Sequence, residues 1–280
     1  MKTTRSTARV FARVHTSAIL LGALAVPFVA GMARAEVAPG AVTGVPAQVE
    51  LSSTDLLDRI IISASQVYED LINFVCREDI ERYKGTTHNP TGHKLDVITS
   101  TVSYDRDAEH YTEIYQNNKP LSRIRGLEGA WSEGEYGTLL GETLKALKTK
   151  KAGSISYSTL NGAPAVVYCF DYSADDSPWE IEVSGRHYFL PFRGQVWASP
   201  QTGAVLRVDR IATGAPEQTG IAGVNWYVTF GSQTAGQRTF WLPTKAVYNV
   251  SYLDGGRREW NLIAFSAYRR YGSDVVVRFQ

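Results

Sequence analysis

Read for the spacing of apolar and polar positions, the chain falls into successive zones. Residues 1–35 begin with Lys2, Arg5, Arg9 and Arg13 and no acid, pass through an apolar run from Ala18 to Ala30, and end in Ala33-Arg34-Ala35. A basic start, a short apolar run and a small-x-small site are the parts of a secretory signal peptide, cleaved here after Ala35. The run is broken by Pro27 and falls short of the roughly 20 apolar residues that a membrane helix needs. Residues 36–51 are rich in Ala, Val, Pro and Gly without a period and read as a flexible leader. From Ser52 the spacing turns helical. Ser52-Ser-Thr-Asp55 is an acidic form of the capping box, and Leu56, Leu57, Ile60, Ile61, Ala64, Val67, Tyr68, Leu71 and Ile72 fall on one face. This spacing predicts an amphipathic helix of about 20 residues whose stripe is buried.

After Cys76 the period becomes two. Segments 77–85, 94–105 and 108–117 alternate, most clearly where Leu95, Val97, Thr99, Thr101 and Ser103 oppose Asp96, Ile98, Ser100, Val102 and Tyr104. Helical spacing returns from Gly137 to Lys148, with Leu139, Leu140, Leu144 and Leu147, and its basic end suits a helix C-terminus. From Ser154 onward strands follow at 154–160, 163–173, 179–186, 192–198, 204–212, 222–231, 237–241, 244–253, 258–268 and 274–279. Asn161-Gly162 and Asp254-Gly255 are strong hairpin signals. No helix-length segment separates these strands, so an antiparallel meander is expected. The predicted fold is mainly β (α+β): residues 52–280 as one domain, a large curved antiparallel sheet or incomplete barrel covered by two helices.

Charge and cysteine content narrow the setting. Five of the 29 basic residues and none of the 28 acidic ones lie in 1–35, which leaves 24 against 28 and a net charge of −4 in residues 36–280. A mildly acidic chain with no basic block is a poor partner for nucleic acid. The expected location is outside the cytoplasm, periplasmic or secreted. In such a compartment the pair Cys76 and Cys169 suggests one disulfide, the alternative being two buried thiols.

Two likenesses follow from this layout. Leu71-Ile-Asn-Phe-Val-Cys76 with Glu81-Arg82-Tyr83, the hairpin Phe192-Arg-Gly-Gln-Val196 with Thr202-Gly-Ala-Val-Leu-Arg207, and the ending Tyr268-Arg-Arg-Tyr-Gly-Ser273 resemble a family of uncharacterised exported bacterial proteins. In the order of its elements alone, the chain also resembles the LolA/LolB-like lipoprotein carriers. That likeness implies a half-barrel with a helix over an apolar cavity that holds acyl chains.

Motifs for catalysis and cofactor binding are absent: there is no Gly-x-Ser-x-Gly, Ser-x-x-Lys, His-Glu-x-x-His, Gly-x-x-x-x-Gly-Lys or Gly-x-Gly-x-x-Gly. His88 and His93 flank a turn, His110 and His187 are isolated, and Asp171, Asp175 and Asp176 lack the spacing of a calcium loop. None is expected to hold a metal. Glu78 and Glu81, with Arg77 and Arg82, read as charges guarding an edge strand. Trp179, Trp197, Trp226, Trp241 and Trp260 fall in different strands. Together with Leu140 and Leu144 they are the candidate lining of an apolar ligand site, or else they fill the core. The leading expectation is an exported, soluble, non-catalytic protein that holds a lipid or lipoprotein acyl chain between sheet and helices. The alternatives are a cell-envelope interaction module with a filled core and an envelope protein as partner, or an enzyme with an unrecognised site.

Overall fold

The structure is a computed structural model that describes residues 53–271, apart from 106–107, 125–126 and 150–152, and the backbone of residues 9–12. The remainder of the expected export signal, the leader and the candidate strand 274–279 lie outside the described residues. In chain order the elements are β1 (Arg9–Ala12), α1 (Ser53–Leu71), β2 (Phe74–Thr86), β3 (Asn89–Asp105), β4 (Ala108–Gln116), β5 (Lys119–Pro120), β6 (Trp131–Ser132), α2 (Thr138–Thr149), β7 (Ser154–Leu160), β8 (Ala163–Tyr172), β9 (Glu180–Val183), β10 (Arg186–Phe189), β11 (Phe192–Ala198), β12 (Val205–Ala212), β13 (Ile221–Ala235), β14 (Arg238–Tyr252) and β15 (Arg257–Arg270). Eleven strands form one curved, unclosed antiparallel sheet in the order β5-β4-β3-β2-β15-β14-β13-β12-β11-β8-β7. A smaller sheet, β10-β9-β1-β6, places β1 parallel to β9 and antiparallel to β6.

Alternation decides which face of the large sheet is covered. On β3 the buried set is Asp96, Ile98, Ser100, Val102 and Tyr104, and on β2 it includes Cys76, Glu78, Ile80 and Arg82. These side chains form the inner face, on which the helices lie. Helix α1 buries Leu56, Ile60, Ala64, Val67 and Leu71, with Leu57, Ile61 and Tyr68 packed at the margin. Ile72, expected in the stripe, lies just past the helix end and is exposed. Helix α2 is sandwiched against α1 and β12, so it is buried nearly all round, with Lys145 and Lys148 exposed. Gly141 permits this closeness: a Cβ there would lie 2.7 Å from the Tyr68 ring.

Three sequence expectations need correction. β2 lies between β15 and β3 and is no edge, because the return of β15 from the far end of the chain supplies the partner that local reading lacks; Glu78 and Arg82 are buried because they alternate onto the covered inner face. The break expected near 242–243 is also absent. β14 runs through Pro243, which sits at a register shift opposite Phe230, a place where the missing N–H removes no ladder bond. The expected disulfide is not made either, since Cys76 and Cys169 are free thiols. β2 and β8 are six strand spacings apart in the sheet, roughly 29 Å along its surface, far beyond disulfide reach. The two side chains also face opposite ways: Cys76 belongs to the buried inner set, while Cys169 approaches Gln195 on the other face.

The helical cover is tied to the sheet by charge. Arg210 of β12 and Glu142 of α2 form an ion pair at 2.6 Å, both almost fully buried. The guanidinium lies 4.9 Å from the Phe192 ring and 5.7 Å from Trp226. A second buried pair, Arg82–Asp96 at 2.6 Å, extends through Arg82 Nη1 to the Glu128 carbonyl at 2.9 Å. Glu259 accepts the Ala130 N–H at 2.7 Å and Asn261 donates to the Ala130 carbonyl at 3.2 Å. Together these bonds pin the loop that leads into α2. Glu142→Ala leaves an uncompensated buried guanidinium and is expected to cost about 3–5 kcal/mol, whereas the double replacement Glu142→Leu with Arg210→Met is expected to stay near the parent. Urea unfolding of the three variants measures both; a near-neutral single variant would contradict the role assigned to the pair.

Candidate functional site

Of the residues expected to line a ligand cavity, Trp179, Trp226, Leu140 and Leu144 share one buried core with Trp241 at its margin, whereas Trp197 and Trp260 lie outside it. Trp179 and Trp226 are fully buried with ring centroids 6.1 Å apart, and Tyr248 and Phe192 pack edge-on against them. Leu140 and Leu144 belong to the same core. These side chains pack on one another within the core between sheet and helices. Trp197 donates to Asp209 at 2.9 Å and Trp241 to the Val205 carbonyl at 2.6 Å. Trp260 stacks on Tyr83 at 5.5 Å with an interplanar angle of 3°. Among the described residues no group of three or more His, Cys, Asp or Glu is placed to hold a metal ion. His88, His93 and His110 are exposed, as are Asp171, Asp175 and Asp176; His187 pairs with Glu180.

The open concavity lies on the other face of the sheet. Strand pairing aligns Tyr115, Thr99, Asp79, Ala264, Lys245, Thr229, Arg207 and Trp197 across eight strands, from β4 to β11, a row on the order of 30 Å long. Two basins lie on it. The larger, of about 930 Å³, has a mixed floor, with Leu206, Tyr227, Val247, Leu262 and Ala264 beside Asp79, Glu81, Arg207, Thr229 and Lys245, and a wall formed by Leu160, Asn161 and Ala163. That wall is the tip of the β7–β8 hairpin, where Asn161 and Gly162 both take positive φ (52° and 82°), as the favoured two-residue turn requires. Leu262 is 42% exposed on this floor. The smaller basin, of about 440 Å³, is lined by Arg77, Thr99, Thr101, Glu113, Tyr115, Asn118, Ala267 and Arg269. Asp79 accepts from Arg77 at 2.8 Å and from Thr99 at 3.0 Å, and so bridges the two.

A second constellation, also missed from the sequence, lies on the inner face. Glu109 of β4 accepts the N–H groups of Gly134, Gly137 and Thr138 at 3.0, 2.8 and 3.2 Å, which caps the start of α2. Tyr111 also donates to it. Near it are Glu78, which accepts from Ser100 at 3.2 Å, and Glu135, which accepts from Ser132. Burial pushes the Glu135 carboxyl up to about 8, with the Glu109 charge adding to the effect. Glu78 is held well above the usual carboxylate range by burial and then by Glu135 and Glu109. Burial also raises Glu109, against the hydrogen bonds it accepts. Groups with such shifts are the ordinary raw material of acid–base chemistry. Here Glu78 and Glu135 are enclosed. The only available signal was the buried set on β3, which carries Ser100 opposite Glu78.

No family profile and no curated protein matches this chain. Among solved structures, a DUF1329 family protein from Desulfovibrio piger is similar over 79% of this chain and 94% of its own, at 14% identity and a TM-score of 0.39. The MucA/MucB complex of Pseudomonas aeruginosa is similar over 80% of this chain and 100% of that one, at 9% identity and a TM-score of 0.22. Both likenesses are remote.

The carboxylates set the sign of a pH effect. A carboxyl raised on folding stabilises the fold fully below its unfolded value near 4.5, and that contribution is lost as pH rises through the folded value, about 8 for Glu135. The melting temperature is expected to fall by roughly 5–10 °C between pH 5 and pH 9, and by clearly less in Glu135→Gln. Scanning calorimetry across that range tests it, and identical profiles for parent and variant would refute it.

Proposed function

We propose that this chain is a non-catalytic binding protein whose ligand is an acyl-type apolar chain lying on the outward face of the sheet. The observation that carries the reading is the basin of about 930 Å³, where Leu206, Tyr227, Val247 and Leu262 form an apolar strip among charged side chains under a hairpin wall. This volume lies in the upper range of small-molecule sites. An acyl chain laid on Leu262, Val247 and Tyr227 gains about 25 cal/mol for each Å² of apolar surface removed from water, before ordering costs. Export, as expected from residues 1–35, would put the protein among envelope lipids. The half-barrel carrier likeness agrees with this ligand class but not with the ligand's position, since the side chains between sheet and helices pack on one another.

A second reading, an envelope interaction module, has one specific observation in its favour. β1, from the segment expected to be cleaved, fills a slot between β9 and β6, with Arg9 to Ala12 opposite Glu180 to Val183. Loss of that strand would leave backbone donors and acceptors open to an extended peptide of a partner protein.

The test of the first reading is uptake of a fluorescent long-chain fatty acid by delipidated protein, with native mass spectrometry of the undelipidated form. Binding is expected in the parent, and at least about tenfold weaker binding in Leu262→Asp, which inserts a charge into the floor at an exposed position that folding tolerates. No co-purified lipid and no uptake would overturn the reading and favour the interaction module.

A further inference from the structure

We infer that the ligand of the outward face is a single-chain anionic amphiphile, a long-chain fatty acid, with its tail on the apolar side chains of the larger basin and its carboxylate in the smaller, polar basin against Arg269. This inference rests on the binding reading above and deepens it by naming the polar end. Three observations carry it. The first is alignment: Thr99 of the smaller, polar basin pairs directly with Asp79 of the larger one, and the cross-strand row continues through Ala264 and Lys245. A linear molecule can therefore lie along one line through both.

The second is charge. In the polar basin Arg77 is already satisfied by Asp79, with contacts of 2.8–3.0 Å, and Glu113 accepts from Thr101 at 2.7 Å. Arg269 lines the same basin, is exposed, and among the described residues has no acidic partner. Its planar fork of donors matches a carboxylate in two-point contact. The third is backbone strain. Glu113 and Ala267, both at φ 50°, stand at register shifts on β4 and β15. Bulges with a positive φ ordinarily use glycine, and a side-chain-bearing residue there carries a conformational cost that tends to be retained at binding sites. Both residues line the polar basin, and the bulge on β15 directly precedes Arg269, so it sets the direction in which the guanidinium leaves the strand.

The experiment compares hexadecanoate with hexadecanol, equal in chain length, by displacement of a fluorescent probe from delipidated full-length protein. The expected result is about tenfold tighter binding of the acid, the scale of a charge-assisted contact. Arg269→Gln should remove that preference with the alcohol's affinity unchanged, and Arg269→Lys should keep most of it. An unchanged melting temperature verifies that each variant is folded. Equal affinity for acid and alcohol in the parent, or a preference that survives Arg269→Gln, overturns this inference and leaves the apolar-binding reading intact. A preference abolished by Lys245→Gln instead also overturns it, by moving the head into the larger basin. Failure of both probes to bind overturns the binding reading itself.

Discussion

The buried ion pair between Arg210 and Glu142 is the constraint on which the rest of the arrangement depends. Among the described residues, the eleven-stranded sheet has two α-helices to cover its inner face. α2 can serve only if it is driven deep, between α1 and β12. A guanidinium at that depth is tolerable only with a carboxylate beside it, so the pair fixes both the position and the rotation of the helix. The Phe192 and Trp226 rings around the guanidinium then pack where they do because its position is set.

From that packing follows the location of the open surface. Trp179, Trp226, Leu140 and Leu144 are enclosed on the inner face, and two open basins are carried by the face turned away from the helices. That face is a continuous ladder of cross-strand neighbours, so residues far apart in sequence, from Tyr115 to Trp197, become adjacent along one line. The β7–β8 tip stands over one part of the line and two bulges bend the other.

The inner-face carboxylates belong to the cover of the sheet. Glu109 holds the first N–H groups of α2, where helix geometry leaves donors without partners and the helix dipole favours negative charge. Glu78 and Glu135 stand close enough to oppose its ionisation and each other's. The hold on α2 is therefore strongest when the neighbouring carboxyls are protonated, which links the buried acids to the same helix that Arg210 anchors from the other side.

Much of the fold was legible in residue order. The stripe from Leu56 to Leu71, the leucines of α2, the Asn161-Gly162 turn and the alternation from Lys94 to Tyr104 are all local patterns, and periods of 3.6 and 2 read out local geometry directly. Pairing partners were not legible. That β15 closes back on β2, and that Glu78 and Arg82 lie on its covered face rather than at an edge, depends on contacts across most of the chain, as does the separation of Cys76 from Cys169. The tryptophans could be assigned to strands, but not to a face, since a shift of one residue in register reverses every side chain. What the sequence by itself determined was the kind and order of elements and the antiparallel meander they build. Which face was covered, which stayed open, and which charges met was decided by the tertiary structure alone, because long-range strand pairing and the depth of α2 set those contacts.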